Sequence, residues 1–210
     1  MASVTNRRGP AATESGAAGE PMPERRRADA RRSIAAILDA ALASLNRSPE
    51  VNIVEIARAA GVGRVTLYGH FPTKEALVDA VVAEAITRAD RALDAIDLDA
   101  GSAPTALARL AASSWHILNQ HRQLMVAGQR HLGPQRLRAH HDRVMHRVQE
   151  VIARGQEGGD IRTDLPTDWL VATYYALLHA AADEVNAGRL DERQAGEAVA
   201  ATMTAALRPS

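Results

Sequence analysis

The chain has 210 residues, a length that suits one mid-sized domain or two small domains that share a core. Its 25 basic residues balance its 25 acidic residues, so net charge indicates no partner, and the lack of cysteine excludes disulfides, Cys-ligated metals and thiol catalysis. Hydrophobic residues make up 46% of the chain but aromatic residues only 3%, and alanine is the main filler. This composition favours packed helices over sheets, and we predict an all-α fold.

The N-terminal residues 1–26 are rich in glycine, proline, alanine and scattered charge without an apolar period, which predicts a disordered arm. From Asp29 to Leu45, apolar residues recur every three or four positions, which predicts an amphipathic helix. A short second helix is predicted from Asn52 to Ala59 or Ala60, where it stops before Gly61, and Asn52 and Glu55 have the spacing of a capping box.

The next elements continue the helical pattern. We predict a short third helix from Arg64 to Phe71, halted by Pro72, and a long fourth helix that begins at Lys74 with Thr73 as its cap. After a break at Gly101–Pro104 the pattern predicts four further helices and a loop from Gly155 to Pro166. The predicted helices cover residues 104–126, 134–155, 167–187 and 191–207.

The second and third helices, joined by Ala60–Gly63, have the pattern of a helix-turn-helix. Gly61 can adopt the positive φ that such a turn requires, and Val62 can pack against the small core. The third helix then keeps one face outward, able to lie in a DNA major groove about 12 Å wide. We therefore predict a DNA-binding domain at residues 27–88, with the motif at 52–71, and a C-terminal domain at 89–210.

The outward face of the third helix has side chains that suit DNA. Arg64 can donate two hydrogen bonds to a guanine edge, and Val65 can touch a thymine methyl group. The side chains placed to bind phosphate oxygens are those of Thr66, Tyr68, His70 and Lys74. The predicted arm and first helix add Arg26, Arg27 and Arg31, which reach phosphate or the minor groove or else form a solvated tail.

Residues 61–77, Gly-Val-Gly-Arg-Val-Thr-Leu-Tyr-Gly-His-Phe-Pro-Thr-Lys-Glu-Ala-Leu, closely resemble the DNA-binding signature of TetR-family transcriptional regulators. With Ile56–Ala57 and the first helix, the resemblance extends over residues 28–88. Two positions depart from the pattern: Gly63 replaces a residue that often caps the third helix, and Gly69 replaces a bulky one.

The resemblance implies a fold of about nine helices, in which a helix-turn-helix domain is joined through a long helix to a C-terminal bundle. It implies a homodimer that binds a palindromic operator in double-stranded DNA, and a repressor relieved by a small effector. It also implies phosphate contacts for the residues matching Thr66, Tyr68, His70 and Lys74, base contacts for those matching Arg64 and Val65, and a core position for Phe71.

The C-terminal region contains several large polarisable side chains in a domain otherwise filled with alanine. They either line a cavity for a small, mostly apolar ligand or pack as ordinary core. The candidate ligand-binding residues are Trp115, Met125, Met145, Tyr174, Tyr175 and His179, with Trp169 as a further large side chain.

The helices at 167–187 and 191–207 present stripes of small residues. Small residues let helices approach closely, so these two helices can form a four-helix dimer interface, although intramolecular packing explains the same stripes. The stripes consist of Ala176, Ala180, Ala198, Ala201 and Ala205.

Other functional classes find little support. The sequence contains no nucleophile–base pair, paired carboxylates or phosphate-binding glycine loop, so we predict that the protein is not an enzyme and needs no cofactor. His116 and His121, like His141 and His146, lie five residues apart, which does not suit a metal site on one helix face. No membrane span or secretory signal is recognisable, so we expect a cytoplasmic protein. A DNA-binding dimer with a ligand-blind C-terminal domain remains the main alternative.

Overall fold

The computed structural model describes residues 22–209, and within that range every regular element is an α-helix. The all-α prediction is therefore confirmed. The N-terminal part contains α1 (Met22–Arg47), α2 (Ile53–Ala59), α3 (Arg64–His70) and α4 (Lys74–Leu93). The C-terminal part contains α5 (Ala103–Gln120), α6 (Arg122–Ala139), α7 (Asp142–Glu157), α8 (Thr167–Asn186) and α9 (Glu192–Leu207).

Helix α1 begins earlier than the apolar pattern predicts. Residues 22–26, which we predicted as the end of a disordered arm, are helical, while the rest of that arm, 1–21, lies outside the described residues. The proline at position 23 is tolerated because it lies in the first turn, where its missing N–H has no helical partner. Arginine and alanine are good helix formers, so the helix extends past the residues that pack.

The predicted helices at 104–126 and 134–155 are divided differently in the structure. The first is interrupted at His121, between α5 and α6, and the second contains the junction between α6 and α7. Pro134 lacks an N–H and cannot continue a regular helix, so α6 is kinked at Gly133, which adopts a φ of 75°. The predicted loop from Gly155 is also shorter, because α7 continues to Glu157.

One continuous core connects the two parts of the molecule. Ile37, Ala41 and Leu45 on α1 are fully buried, as are Leu77 and Val81 on α4. Helix α4 runs unbroken from the DNA-binding motif into the C-terminal bundle, so the proposed boundary at residue 88 falls inside a helix that belongs to both parts.

Over residues 22–209, no helix is both long enough and apolar enough to span a bilayer.

Candidate DNA-binding surface and ligand cavity

The turn between α2 and α3 has the geometry that its glycine predicts. Gly61 adopts a φ of 68°, in the left-handed region that residues with a Cβ rarely enter. The Val62 amide then donates to the Ala57 carbonyl at 3.0 Å, and the Val62 side chain packs against the core. These contacts fix the angle between the two short helices.

Helix α3 buries Leu67 and leaves most of the predicted contact face exposed. Leu67 is fully buried, whereas Arg64 and Thr66 are exposed. Val65 is 87% exposed, which leaves a branched apolar side chain in water unless a partner covers it. Tyr68 is 39% exposed. His70 is half-buried, and Phe71 is buried as a core residue.

Capping around the motif is partly as predicted. Asn52 Oδ1 accepts from the Glu55 amide at 3.2 Å, and Thr73 Oγ1 accepts from the Ala76 amide at 3.1 Å. The return half of the capping box does not form, because the Glu55 carboxylate instead binds Arg47 at 2.9 Å. Gly63 provides no side-chain cap for α3, as its lack of a side chain predicts.

The remaining predicted DNA contacts lie at two places. Lys74 is exposed at the first position of α4, directly after the Thr73 cap. The arginines Arg26, Arg27 and Arg31 are exposed on the first turns of α1, which includes Arg26 although we predicted it as the end of the disordered arm.

A small cavity lies between helices α4 to α8 in the C-terminal part. Its volume is about 70 Å³, below the roughly 300–1,000 Å³ of typical ligand pockets. A ligand of ordinary size can therefore occupy it only if the surrounding side chains or helices move apart. The apolar lining consists of Ala85, Ile86, Ala89, Leu93, Ile117, Leu118, Met125, Val144, Met145 and Leu178. The polar lining consists of Ser114, His121, His141, Tyr175 and His179.

Three rings of this lining form a cluster, named here the ring cluster: His141, Tyr175 and His179. The Tyr175 and His179 ring centroids are 4.2 Å apart with the planes tilted by 35°. His141 lies nearly perpendicular to both rings, at centroid distances of 5.2 Å and 5.4 Å. The Arg138 guanidinium covers Tyr175 at 4.1 Å from its centroid, a cation–π contact.

Burial keeps both imidazoles of the ring cluster neutral near pH 7. It lowers the pKa of His179 to about 4, with smaller contributions from His141 and Arg138. Burial also lowers the pKa of His141, although its hydrogen bond to the Leu137 carbonyl acts in the opposite direction. The pKa of Tyr175 is raised by burial, so its phenol is uncharged as well.

The structure divides the predicted ligand-binding residues into two groups. Met125, Met145, Tyr175 and His179 line the cavity. Trp115 and Tyr174 do not line it, and both have structural partners.

Tyr174 is fully buried and donates its hydroxyl to Ser114 at 2.9 Å. Trp115 donates Nε1 to the Glu192 carbonyl at 3.1 Å and packs against Gly196. Trp169, the further large side chain, is 61% exposed.

Sequence reasoning missed Ser114, His121 and His141 as lining residues. It considered the two histidines only as metal ligands, yet both lie at helix junctions and line the cavity. Their position beside the junctions is the signal that could have found them. Among residues 22–209, no group of three histidine, aspartate or glutamate side chains is arranged to hold a metal ion.

Hydrogen bonds connect the cavity to the DNA-binding part. His121, which lines the cavity, donates Nδ1 to Asn46 Oδ1 near the end of α1 at 3.0 Å. Helix α6 carries the lining residue Met125, and two further residues of the same helix bind the N-terminal part. Arg130 binds Glu50 at 3.0 Å, and Arg136 binds Asp79 of α4 with two hydrogen bonds of 2.9 Å and 2.7 Å.

The small-residue stripes on α8 and α9 face outward. The five alanines of the two stripes are exposed in the single chain, so packing within this chain does not account for them. They are Ala176, Ala180, Ala198, Ala201 and Ala205.

Comparison with known families and structures agrees with this architecture. The family model described as "Bacterial regulatory proteins, tetR family" matches residues 37–81, a range that covers the helix-turn-helix and the adjoining parts of α1 and α4. No curated protein sequence gives a significant match to the chain.

Solved structures match over most of the chain. The TetR-like regulator LfrR from Mycobacterium smegmatis, crystallised with proflavine, is 25% identical, with a TM-score of 0.63 over 84% of this chain and 97% of that one. FadR from Bacillus subtilis, crystallised with stearoyl-CoA, is 16% identical, with a TM-score of 0.62 over 85% and 99%. FadR from Bacillus halodurans is 19% identical, with a TM-score of 0.69 over 84% and 96%.

Proposed function

Since the chain is a TetR-family transcriptional regulator, we propose that it is a homodimeric repressor that leaves its operator when a small molecule occupies the cavity. The observation that carries this proposal is the connection between the two parts. His121 borders the cavity and is hydrogen-bonded to Asn46 of α1. Met125 also borders the cavity, and Arg136 of the same helix binds Asp79 of α4.

DNA recognition is assigned to the exposed face of α3 and its neighbours. Arg64 and Val65 read bases, because both are exposed and have the guanidinium fork and the methyl groups that suit guanine and thymine. Phosphate groups are bound by side chains on the rest of α3, at the start of α4 and on α1. These are Thr66, Tyr68, His70, Lys74, Arg26, Arg27 and Arg31.

Dimerisation through α8 and α9 is supported by the outward-facing alanine stripes. Small side chains permit close approach of helices, and two such helix pairs form a four-helix interface. Two-fold symmetry would then place two α3 helices in successive major grooves, about 34–36 Å apart, on a palindromic operator.

Ligand release follows from the small size of the cavity. A ligand larger than the 70 Å³ space must displace lining side chains and the helices that carry them, and a displaced α6 shifts relative to Glu50 and Asp79. The ligand changes the balance between DNA-binding and released forms only by its difference in affinity for them. LfrR was crystallised with proflavine and FadR with stearoyl-CoA, which supports a ligand-responsive role for this fold.

The cavity also separates the proposal from its alternatives. If the C-terminal domain only dimerised, it would have no use for a cavity that is lined by histidine and tyrosine. Nor would it need a hydrogen bond from that lining to the DNA-binding part. The enzyme alternative gains no support from the cavity, because no Asp or Glu lies among the described lining residues and the Ser114 hydroxyl is bonded to Tyr174 instead of an imidazole. We place the working protein in the cytoplasm, where the DNA is.

The test is a selection of genomic fragments bound by the purified protein, repeated at several salt concentrations. We expect a palindromic site occupied by two copies, with affinity that falls steeply as salt rises, because several phosphates are neutralised. Weak binding that is indifferent to sequence at every salt concentration would overturn the proposal.

A further inference from the structure

The cavity contains no formal charge. Among its described lining residues there is no aspartate, glutamate, lysine or arginine, and ten of the fifteen are apolar. A charged ligand would lose its hydration without gaining a counterion among the lining residues, which is a large penalty in an apolar site, and the nearest cation, Arg138, already packs on the Tyr175 ring. The cavity therefore selects against carboxylates and ammonium groups.

The ring cluster has hydrogen-bonding capacity that the protein does not use. His141 Nδ1 contacts the Leu137 carbonyl at 2.9 Å, and since a carbonyl can only accept, Nδ1 carries the proton. In the neutral ring, Nε2 is then an acceptor, and among the described residues it has no hydrogen-bond partner. The pKa of this histidine is lowered by burial, so the neutral form predominates near pH 7.

The shape of the site favours a compact, flat ligand. An apolar cavity of about 150 Å³ accepts a benzene molecule, so this cavity of about 70 Å³ requires some widening even for one ring. Met125 and Met145 supply that widening, because unbranched thioether side chains change rotamer easily. Arg138 and His179 already lie against the Tyr175 ring, so an aromatic guest packs on the ring surfaces of the cluster that remain open to the cavity.

We propose that the cavity binds an uncharged, single-ring aromatic hydroxyl compound of the phenol class, whose hydroxyl group donates to Nε2 of His141. This inference rests on the proposed function, since it names the ligand class of the same cavity. It excludes ring compounds that carry a charge, and those that have no donor for the imidazole.

The proposal can be tested by calorimetric titration of the purified full chain with four single-ring probes at pH 7.5. Phenol is the neutral donor, anisole has a methyl in place of the hydroxyl hydrogen, benzoate is anionic and benzylamine is cationic. We expect phenol to bind at least tenfold more tightly than each of the other three. Anisole binding as tightly as phenol, a charged probe binding more tightly, or no binding of phenol would each overturn the proposal.

Variants test whether His141 is the acceptor of the phenol hydroxyl. His141→Phe keeps a ring but removes the acceptor, and we expect it to bind phenol no more than threefold better than anisole. The matched control is His146→Phe, which changes an exposed histidine on α7 and should bind phenol like the unmodified protein. Unchanged phenol affinity in His141→Phe would reject His141 as the acceptor. If that variant does not fold, the comparison of phenol with anisole on the unmodified chain still decides the ligand class.

Failure of this inference is distinguishable from failure of the proposed function. Titration without DNA reports the ligand class alone, whereas fluorescence anisotropy of a labelled operator fragment reports release. Phenol that binds without releasing DNA would contradict the regulatory role and leave the ligand class intact. Release of DNA by benzoate or benzylamine, without tight phenol binding, would contradict the ligand class and leave the regulatory role intact.

Discussion

Side chains of α3 are proposed to make two kinds of DNA contact, to bases and to phosphates, and substitutions can distinguish them. Arg64 is exposed and can form two hydrogen bonds with one base, so Arg64→Ala should relax preference at one operator position, at a cost of about 1–3 kcal/mol. Tyr68→Ala should weaken binding to all sequences about equally, because a phosphate contact carries no base information. Selection from a randomised operator library measures both effects. A changed base preference in Tyr68→Ala, or an unchanged one in Arg64→Ala, would contradict the assignment.

Two glycines should respond oppositely to the same substitution. A Cβ added at Gly155 would lie 2.7 Å from Ala103 Cβ and 2.5 Å from Ile161 Cδ1, and the alanine Cβ cannot rotate away. Gly155→Ala should therefore destabilise the fold by about 1–3 kcal/mol through overpacking. At Gly69 nothing lies within 4 Å of such an atom, so Gly69→Ala should be neutral or stabilise α3 by up to about 1 kcal/mol. Urea unfolding of both variants is the measurement, and equal midpoints would refute the contrast.

His179 should make the protein sensitive to mild acid. Its pKa is about 4 in the folded chain, against an ordinary value of 6.5, because burial beside His141 and Arg138 disfavours the charged form. The unfolded chain therefore takes up a proton as the pH falls below about 6.5, whereas the folded chain does so only near 4. The free energy of unfolding contributed by this group is thus lost progressively between pH 6.5 and 4.

The variant His179→Phe should remove that contribution, so its urea midpoint should fall less between pH 7.5 and 5 than that of the unmodified chain. His116→Phe, at an exposed position of α5, serves as the control and should keep the original pH dependence. An unchanged pH dependence in His179→Phe would show that other groups carry the acid response.

At the scale of helices, α4 and α6 connect cavity and DNA-binding motif. Ala89 of α4 lines the cavity, so Ala89→Phe should fill it and force the lining helices apart in place of a ligand. Coupling between sites is typically worth about 1–3 kcal/mol, so we expect operator affinity to fall about tenfold. Ala92→Phe, one turn along the same helix and exposed, should leave affinity unchanged. Equal operator affinity of two folded variants, by anisotropy, would argue against coupling through these helices.

At the scale of the whole molecule, the exposed alanine stripe of α9 predicts an interface between copies. Ala201→Glu places a charge at the centre of that stripe, and we expect a monomer at micromolar concentration with much weaker operator binding. Ala112→Glu changes an exposed alanine on α5 and should leave the dimer intact. Light scattering after gel filtration measures the mass of each variant. A dimeric Ala201→Glu protein would place the interface elsewhere.

The sequence alone was sufficient for features that depend on neighbouring residues. The caps at Asn52 and Thr73 and the positive φ of Gly61 follow from residues within one or two helical turns. Prediction from local patterns was wrong where part of a helix has no buried face, because that part has no apolar period. The arginine-rich start of α1 is the clearest case, since its propensity, and not its periodicity, makes it helical.

The all-α fold and the helix-turn-helix were thus determined by the sequence itself, because periodicity, caps and turns are local properties of the chain. Only the tertiary structure decided which polar side chains share the cavity. His121 meets Asn46 from 75 positions away in the chain, and Ser114 contacts Tyr174 from 60 positions away. Such meetings depend on how helices pack against one another, and that packing is set by the complementary shapes of many side chains rather than by any local pattern.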